Sequence, residues 1–143
     1  MIDLKTGEMT FNLRWVAWFV GSPHYLIQRW VLRGWLECAE GGGRQHLERR
    51  FNLRQVRQAY VLGLLLRGNS ATNASGWMTG TQLRGILKSM PNPPANEPMW
   101  LLVIRKNGTC FARWLTESEL EDVHGVGLSG GSSLLGIPSV YGV

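Results

Sequence analysis

The sequence predicts a mostly helical protein with short β-segments, built from an N-terminal winged helix-turn-helix and a small C-terminal α/β module that contains a β-hairpin. Three observations carry this prediction. Two helix starts are written in the same letters, Phe11-Asn12-Leu13-Arg14 and Phe51-Asn52-Leu53-Arg54. Between them lie two short amphipathic stretches separated by Gly21-Ser22-Pro23, and then the glycine turn Glu40-Gly41-Gly42-Gly43. Downstream, Asn107-Gly108 stands between two apolar runs, the strongest short-range signal for a hairpin.

Each Phe-Asn-Leu-Arg start reads as a capped helix. The Asn side chain at the N-cap accepts a hydrogen bond from a first-turn N–H, and the preceding Phe can staple onto Val16 or Val56. In the second copy Gln55 completes a capping box. The spacing predicts a first helix over residues 13–20 with Leu13, Val16, Ala17 and Val20 as its buried stripe. Gly21 ends it. Ser22 as cap and Pro23 at the first helical position start a second helix, whose apolar face is Leu26, Ile27 and Trp30 and which Gly34 stops. Residues 35–39 read as a wing strand, 40–43 as its turn and 44–50 as the returning strand. A third helix then runs from Asn52 to about Arg67, with Leu53, Val56, Tyr60, Leu64 and Gly63 assigned inward and Arg54, Arg57 and Gln58 outward.

Residues 68–76 are small and polar, as linkers are, so the expected organisation is a first domain over 1–67, a linker over 68–76 and a second module over 77–143, serving oligomerisation or effector sensing. In that module a helix is expected from about Thr79 to Met90. Pro91-Asn92-Pro93-Pro94 must be extended. Residues 100–105 and 109–115 form the hairpin, and Thr116-Glu117-Ser118-Glu119 is a capping box for a short acidic helix ending at Gly125. The last eighteen residues form either an edge strand or a loose tail.

The chain has 143 residues and a net charge of +5. Residues 1–67 hold ten Lys and Arg against five Asp and Glu, whereas residues 68–143 hold five of each, so all of the excess sits in the first half. A localised positive excess favours a polyanionic partner, because each Lys or Arg set against a phosphate releases condensed counterions. Cys38 and Cys110 are too few for a disulfide scaffold, no basic-then-apolar leader opens the chain and no apolar run reaches spanning length. The expectation is a cytoplasmic protein without membrane association.

The run Val16-Ala17, Gly21, Ile27-Gln28-Arg29-Trp30 and Gly34-Trp35-Leu36, followed by the glycine turn and Phe51-Asn52 with Val56, resembles the DNA-binding domain of MerR-type regulators over about residues 11–67. Similar winged domains occur in the small excisionases of mobile elements. Gln28 stands where the MerR type usually has Arg, and Val31 where it usually has Glu. No long dimerisation helix and no metal-sensing cysteines correspond. The resemblance therefore implies DNA binding alone.

In such a fold the second helix enters the major groove, which makes His24, Tyr25, Gln28, Arg29 and Arg33 the base-reading candidates. Arg can bond bidentately to guanine and Gln to adenine. Arg44, Arg49 and Arg50 near the wing are candidate phosphate or minor-groove contacts, and Arg54 and Arg57 candidate backbone clamps. Trp15, Trp18 and Phe19 lie off the buried stripe of the first helix, as a contact surface for the second module or for another copy of the chain.

Signs of catalysis are few. His24, His46 and His124 are scattered, no Cys or His pair has metal-ligand spacing, and the acidic cluster Glu117, Glu119, Glu121 and Asp122 occupies a helix start, where carboxylates complement the dipole. The two cysteines read as small apolar residues. The sequence thus predicts a non-enzymatic, sequence-specific binder of double-stranded DNA acting in transcription regulation, with no cofactor, no metal and no identifiable small-molecule ligand. Because one small domain covers few base pairs, a homo-oligomer is expected. Two alternatives stay open: an excisionase-like or architectural accessory protein that bends or coats DNA, and a protein-interaction module with a basic surface.

Overall fold

The computed structural model describes residues 9–39, 48–66, 78–106, 109–126 and 132–140. Over these residues the protein is a mixed α/β structure of five helices and two small antiparallel sheets, 47% helix and 26% strand, so strand is more than a set of short connections. The described residues of Met1–Gly63 and Val140–Val143 form one compact unit, and those of Leu64–Ser139 a second.

The first unit is organised by the two look-alike segments pairing with each other. Strand β1 (Thr10–Asn12) runs antiparallel to β2 (Arg50–Asn52), with Phe11 opposite Phe51, Thr10 opposite Asn52 and Asn12 opposite Arg50. Each strand delivers its Asn to the start of a helix, α1 (Leu13–Val20) or α3 (Leu53–Leu66). Asn12 Oδ1 accepts from the Trp15 amide at 2.8 Å. Asn52 Oδ1 accepts from the Gln55 amide at 2.9 Å, and Gln55 Oε1 accepts back from the Asn52 amide at 3.0 Å, the expected capping box. In the first copy the corresponding position is Trp15, which cannot return that bond; its ring lies against Phe11 instead, centroids 4.3 Å apart. Phe11 and Phe51 are both buried. The repeated letters are thus two strand-to-helix junctions related by a local two-fold axis between the phenylalanines.

Helix α1 buries Val16, Ala17 and Val20, while Leu13 is only half-buried. It ends at Gly21, whose φ of 73° is left-handed, with the Ser22 amide bonded to the Ala17 carbonyl at 3.1 Å. Helix α2 (His24–Leu32) packs against α1 and buries Ile27 and Trp30, leaving Leu26 half-buried. Pro23, not Ser22, is its N-cap, and no side chain caps it. Gly34 closes it in the same left-handed way, with φ 76°, the Gly34 amide on the Val31 carbonyl at 3.0 Å and the Trp35 amide on that of Trp30 at 3.0 Å.

This geometry makes opposite predictions for two glycines. Gly34→Ala forces a Cβ into the left-handed region and is expected to cost about 1–2 kcal/mol. Gly85, inside helix α4 (Gly80–Lys88), has nothing within 4 Å of an added Cβ, so Gly85→Ala is expected to stabilise by about 0.5–1 kcal/mol. Urea melts of the two variants check both signs.

The wing differs from the expectation. Residues 35–39 are not a strand: the Trp35 and Leu36 amides both donate to the Trp30 carbonyl, curling the chain onto the end of α2 and leaving those donors unavailable to a ladder. Among the described residues, the Ala39 amide reaches across to the Arg50 carbonyl at 2.8 Å. Of the returning strand expected over 44–50, the described residues are 48–50; of these Arg50 is in a strand, whose partner is β1. The glycine turn and Arg44 lie outside the described residues.

Helix α3 also needs correcting. Val56, Ala59, Val61, Leu62, Gly63 and Leu65 are buried, and Leu53, Tyr60 and Leu64 only half-buried. Arg57, assigned to the outer face, is 2% exposed. Arg57 and Val61 are four residues apart on one stripe, so α3 is covered on a second side and a one-sided amphipathic reading fails there.

In the second unit the expected helix forms as α4, and it opens on a capping box that had not been singled out, with the Thr79 amide on Gln82 Oε1 at 2.8 Å and the Gln82 amide on Thr79 Oγ1 at 3.2 Å. Strands β3 (Met99–Lys106) and β4 (Thr109–Leu115) pair antiparallel from Lys106 opposite Thr109, the hairpin register expected around Asn107-Gly108, which themselves lie outside the described residues. Of the two readings left open for the tail, residues Ser132–Ile137 take the edge strand, β5, giving the order β4-β3-β5. Helix α5 (Glu117–Val126) follows the Thr116 cap, whose amide and hydroxyl hold the Glu119 carboxyl below its usual range, helped by Arg113 at 2.8 Å. Trp114 Nε1 donates to the Ile86 carbonyl at 3.0 Å and ties β4 to α4. The expected linker over 68–76 lies outside the described residues.

Candidate nucleic-acid interface

Helix α2 is held by the short turn Gly21-Ser22-Pro23 against α1, with Ile27 and Trp30 turned into the core. Its opposite side carries Tyr25, Arg29, Leu32 and Arg33, all exposed and at helical spacing for one stripe, flanked by exposed His24 and half-buried Gln28. No acidic residue occurs anywhere in α2. The Arg29 guanidinium lies 5.8 Å from the Tyr25 ring centroid, and that of Arg33 5.0 Å from the Trp35 ring. Such exposed cation–π contacts are worth about 0.5–1 kcal/mol and restrict the two side chains without neutralising them. Five of the sequence-predicted residues therefore fall on one basic, partly aromatic ridge. Leu32, 70% exposed, is the apolar member that periodicity had not singled out.

Of the other predicted arginines, Arg44 lies outside the described residues, and Arg49, Arg50, Arg54 and Arg57 lie off that ridge. Arg50 is engaged inside the unit: its Nε donates to Thr10 Oγ1 at 3.0 Å, and its Nη1 lies 3.3 Å from Glu48 Oε2. Arg50 thus stabilises the β1–β2 pair. Arg57 is buried, and Arg54 is half-buried on the first turn of α3.

Arg49 is 9% exposed, and its Nε makes no hydrogen bond among the described residues. Leaving such a donor unpaired costs about 1–3 kcal/mol, more when it is charged. The side chain lines a cleft of about 410 Å3, together with Asn12, Leu13, Arg14, His24, Gln28 and Glu48. Sequence reasoning missed Arg14 and the cleft itself; the only sign was that Arg14 occupies the first turn of an Asn-capped helix. Arg49 also bears on Cys38, whose thiol is pushed up by burial, with the guanidinium opposing that shift. Burial raises Cys110 likewise, so both thiols stay protonated at neutral pH, and neither forms a disulfide.

Trp15, Trp18 and Phe19 sit in an aromatic ladder. Trp15 stacks on Phe19 with centroids 5.3 Å apart, Phe19 meets Tyr60 at 5.4 Å and Trp18 lies 5.9 Å from Trp15. Trp15 and Phe19 are half-buried, while Trp18 is 74% exposed. In the second unit a cleft of similar size is walled by Pro91, Pro98, Trp100 and Leu120 and rimmed by Glu97 and Glu117, the wrong sign for a polyanion. Among the described residues no group of three or more His, Cys, Asp or Glu is placed to hold a metal ion, and no helix is long and apolar enough to cross a membrane. Compared with known families and with curated proteins, the sequence matches no family model and no curated protein.

Proposed function

We propose that this chain binds double-stranded DNA site-specifically, with α2 in the major groove, and controls transcription by occupying its site. The observation that supports the reading best is the acid-free outer face of α2, where Arg29, Arg33 and Gln28 stand beside Tyr25 on a helix braced across α1. A helix of this size fits the major groove, and Arg and Gln there have defined partners on guanine and adenine. One copy contacts few base pairs, so the reading includes paired copies on paired half-sites.

Titration of the full chain with a mixed-sequence duplex, the corresponding single strand and polyglutamate, at two salt concentrations, tests this against a generic basic surface. Duplex binding is expected to be the tightest of the three and to weaken steeply with salt. On a duplex carrying a site enriched by selection, Arg29→Ala is expected to lower affinity by about tenfold or more, in line with the about 1–3 kcal/mol carried by a well-placed base contact. Equal binding of polyglutamate, or an unaffected Arg29→Ala variant, contradicts the proposal and favours a protein partner.

A further inference from the structure

We infer that the cleft lined by Asn12, Leu13, Arg14, His24, Gln28, Glu48 and Arg49 is a seat for a phosphate group, supplied by the backbone of the DNA that α2 reads. The assignment of the source rests on the DNA-binding reading; the anion chemistry of the cleft does not.

Two helix starts open onto this cleft. Asn12, Leu13 and Arg14 are the cap and first two positions of α1, and His24 is the first position of α2. The first N–H groups of any helix lack a carbonyl behind them and carry the positive end of the helix dipole, which favours an anion. In α1 the Asn12 side chain takes the Trp15 amide, leaving those of Leu13 and Arg14 ahead of it. In α2 no side-chain cap is made.

The independent observation is Arg49. It is more than nine-tenths buried, lines the cleft and has a buried Nε–H with no hydrogen-bond acceptor among the described residues. A buried guanidinium with no carboxylate partner among the described residues is what a phosphate oxygen satisfies well, since charge-assisted bonds to phosphate are short and strong. Arg14 adds an exposed cation at the rim. The one carboxylate among the described residues of the wall, Glu48, is held by Arg50 at 3.3 Å, which offsets its charge. Because phosphates occur at every step of a duplex, a contact here positions the protein and carries no sequence information.

The experiment uses the full chain with Arg49→Gln and Arg14→Ala, each checked for an unchanged melting transition. Duplex affinity is measured across a salt series, and inorganic phosphate is titrated while the Leu13, Arg14 and His24 amides are followed by NMR. The expected result is a loss of affinity on every duplex sequence alike, with the slope of log K against log salt reduced by about one per arginine, and phosphate-induced amide shifts that Arg49→Gln abolishes. Should Arg49→Gln not fold, Arg14→Ala carries the same slope test. If the unaltered chain binds no duplex but phosphate still shifts these amides through Arg49, the seat stands, its source is free phosphate or a phosphate monoester, and the DNA reading falls. Unchanged salt slopes together with no phosphate-induced shifts overturn the seat, whatever α2 does.

Discussion

Phe51→Ala is expected to remove a large part of the stability of the first unit. Phe51 is fully buried, faces Phe11 across the β1–β2 pair and immediately precedes the Asn52 cap, so one ring supports the pairing and the entry to α3 together. Truncating a buried Phe costs about 3–5 kcal/mol. Against a typical stability of about 5–15 kcal/mol that is a large fraction. With a urea dependence of about 1–3 kcal/mol per molar, the denaturation midpoint should fall by at least about 1 M. Phe51→Leu keeps most of the volume and should cost less than about 1.5 kcal/mol. Because Phe11 and Phe51 face each other, the double variant should depart from additivity by about 0.5 kcal/mol or more. A Phe51→Ala midpoint close to that of the parent would remove the phenylalanine pair from the centre of the unit.

The second large effect is expected at Leu101. It is fully buried in β3, the central strand of its sheet, opposite Trp114 on β4 and Leu135 on β5. Leu101→Ala should cost about 2–5 kcal/mol, the upper end applying if the rigid sheet cannot collapse around the cavity. Hydrogen exchange gives the most local readout: amides of β3, β4 and β5 should lose protection together, because β5 reaches the rest of its sheet only through β3. Loss confined to one edge would contradict the central place of β3.

What the sequence made legible is local. The Asn12, Asn52 and Thr116 caps and the left-handed glycines at 21 and 34 were readable because each depends on residues within a turn of itself. The Asn107-Gly108 hairpin register followed for the same reason. The strand expected over 35–39 was misread because the chain there curls back onto α2, and β2 finds its partner forty residues upstream in β1, a pairing no local pattern encodes. The identical letters of the two starts were a clue to that pairing, and were read only as a repeated cap. Arg57 was misassigned because helical periodicity identifies one covered face and α3 has two.

The same division holds for the site. The stripe of Tyr25, Arg29 and Arg33 on α2 followed from helical spacing alone. The cleft did not, because it gathers residues 12–14, 24, 28 and 48–49 through tertiary packing, and because Arg49 gives no sign in the sequence that it is buried. Trp18 followed the expectation of an exposed aromatic, whereas Trp15 and Phe19 are partly covered by the ladder that ends on Tyr60.

Selection of the full chain against a randomised duplex pool, beside a Gln28→Ala, Arg29→Ala variant, tests most directly whether α2 reads DNA. The account predicts an enriched motif that the variant fails to recover, with two half-sites spaced by about one helical turn or a multiple of it if paired copies bind. No enrichment over the input pool, or the same motif recovered by the variant, would contradict recognition through α2.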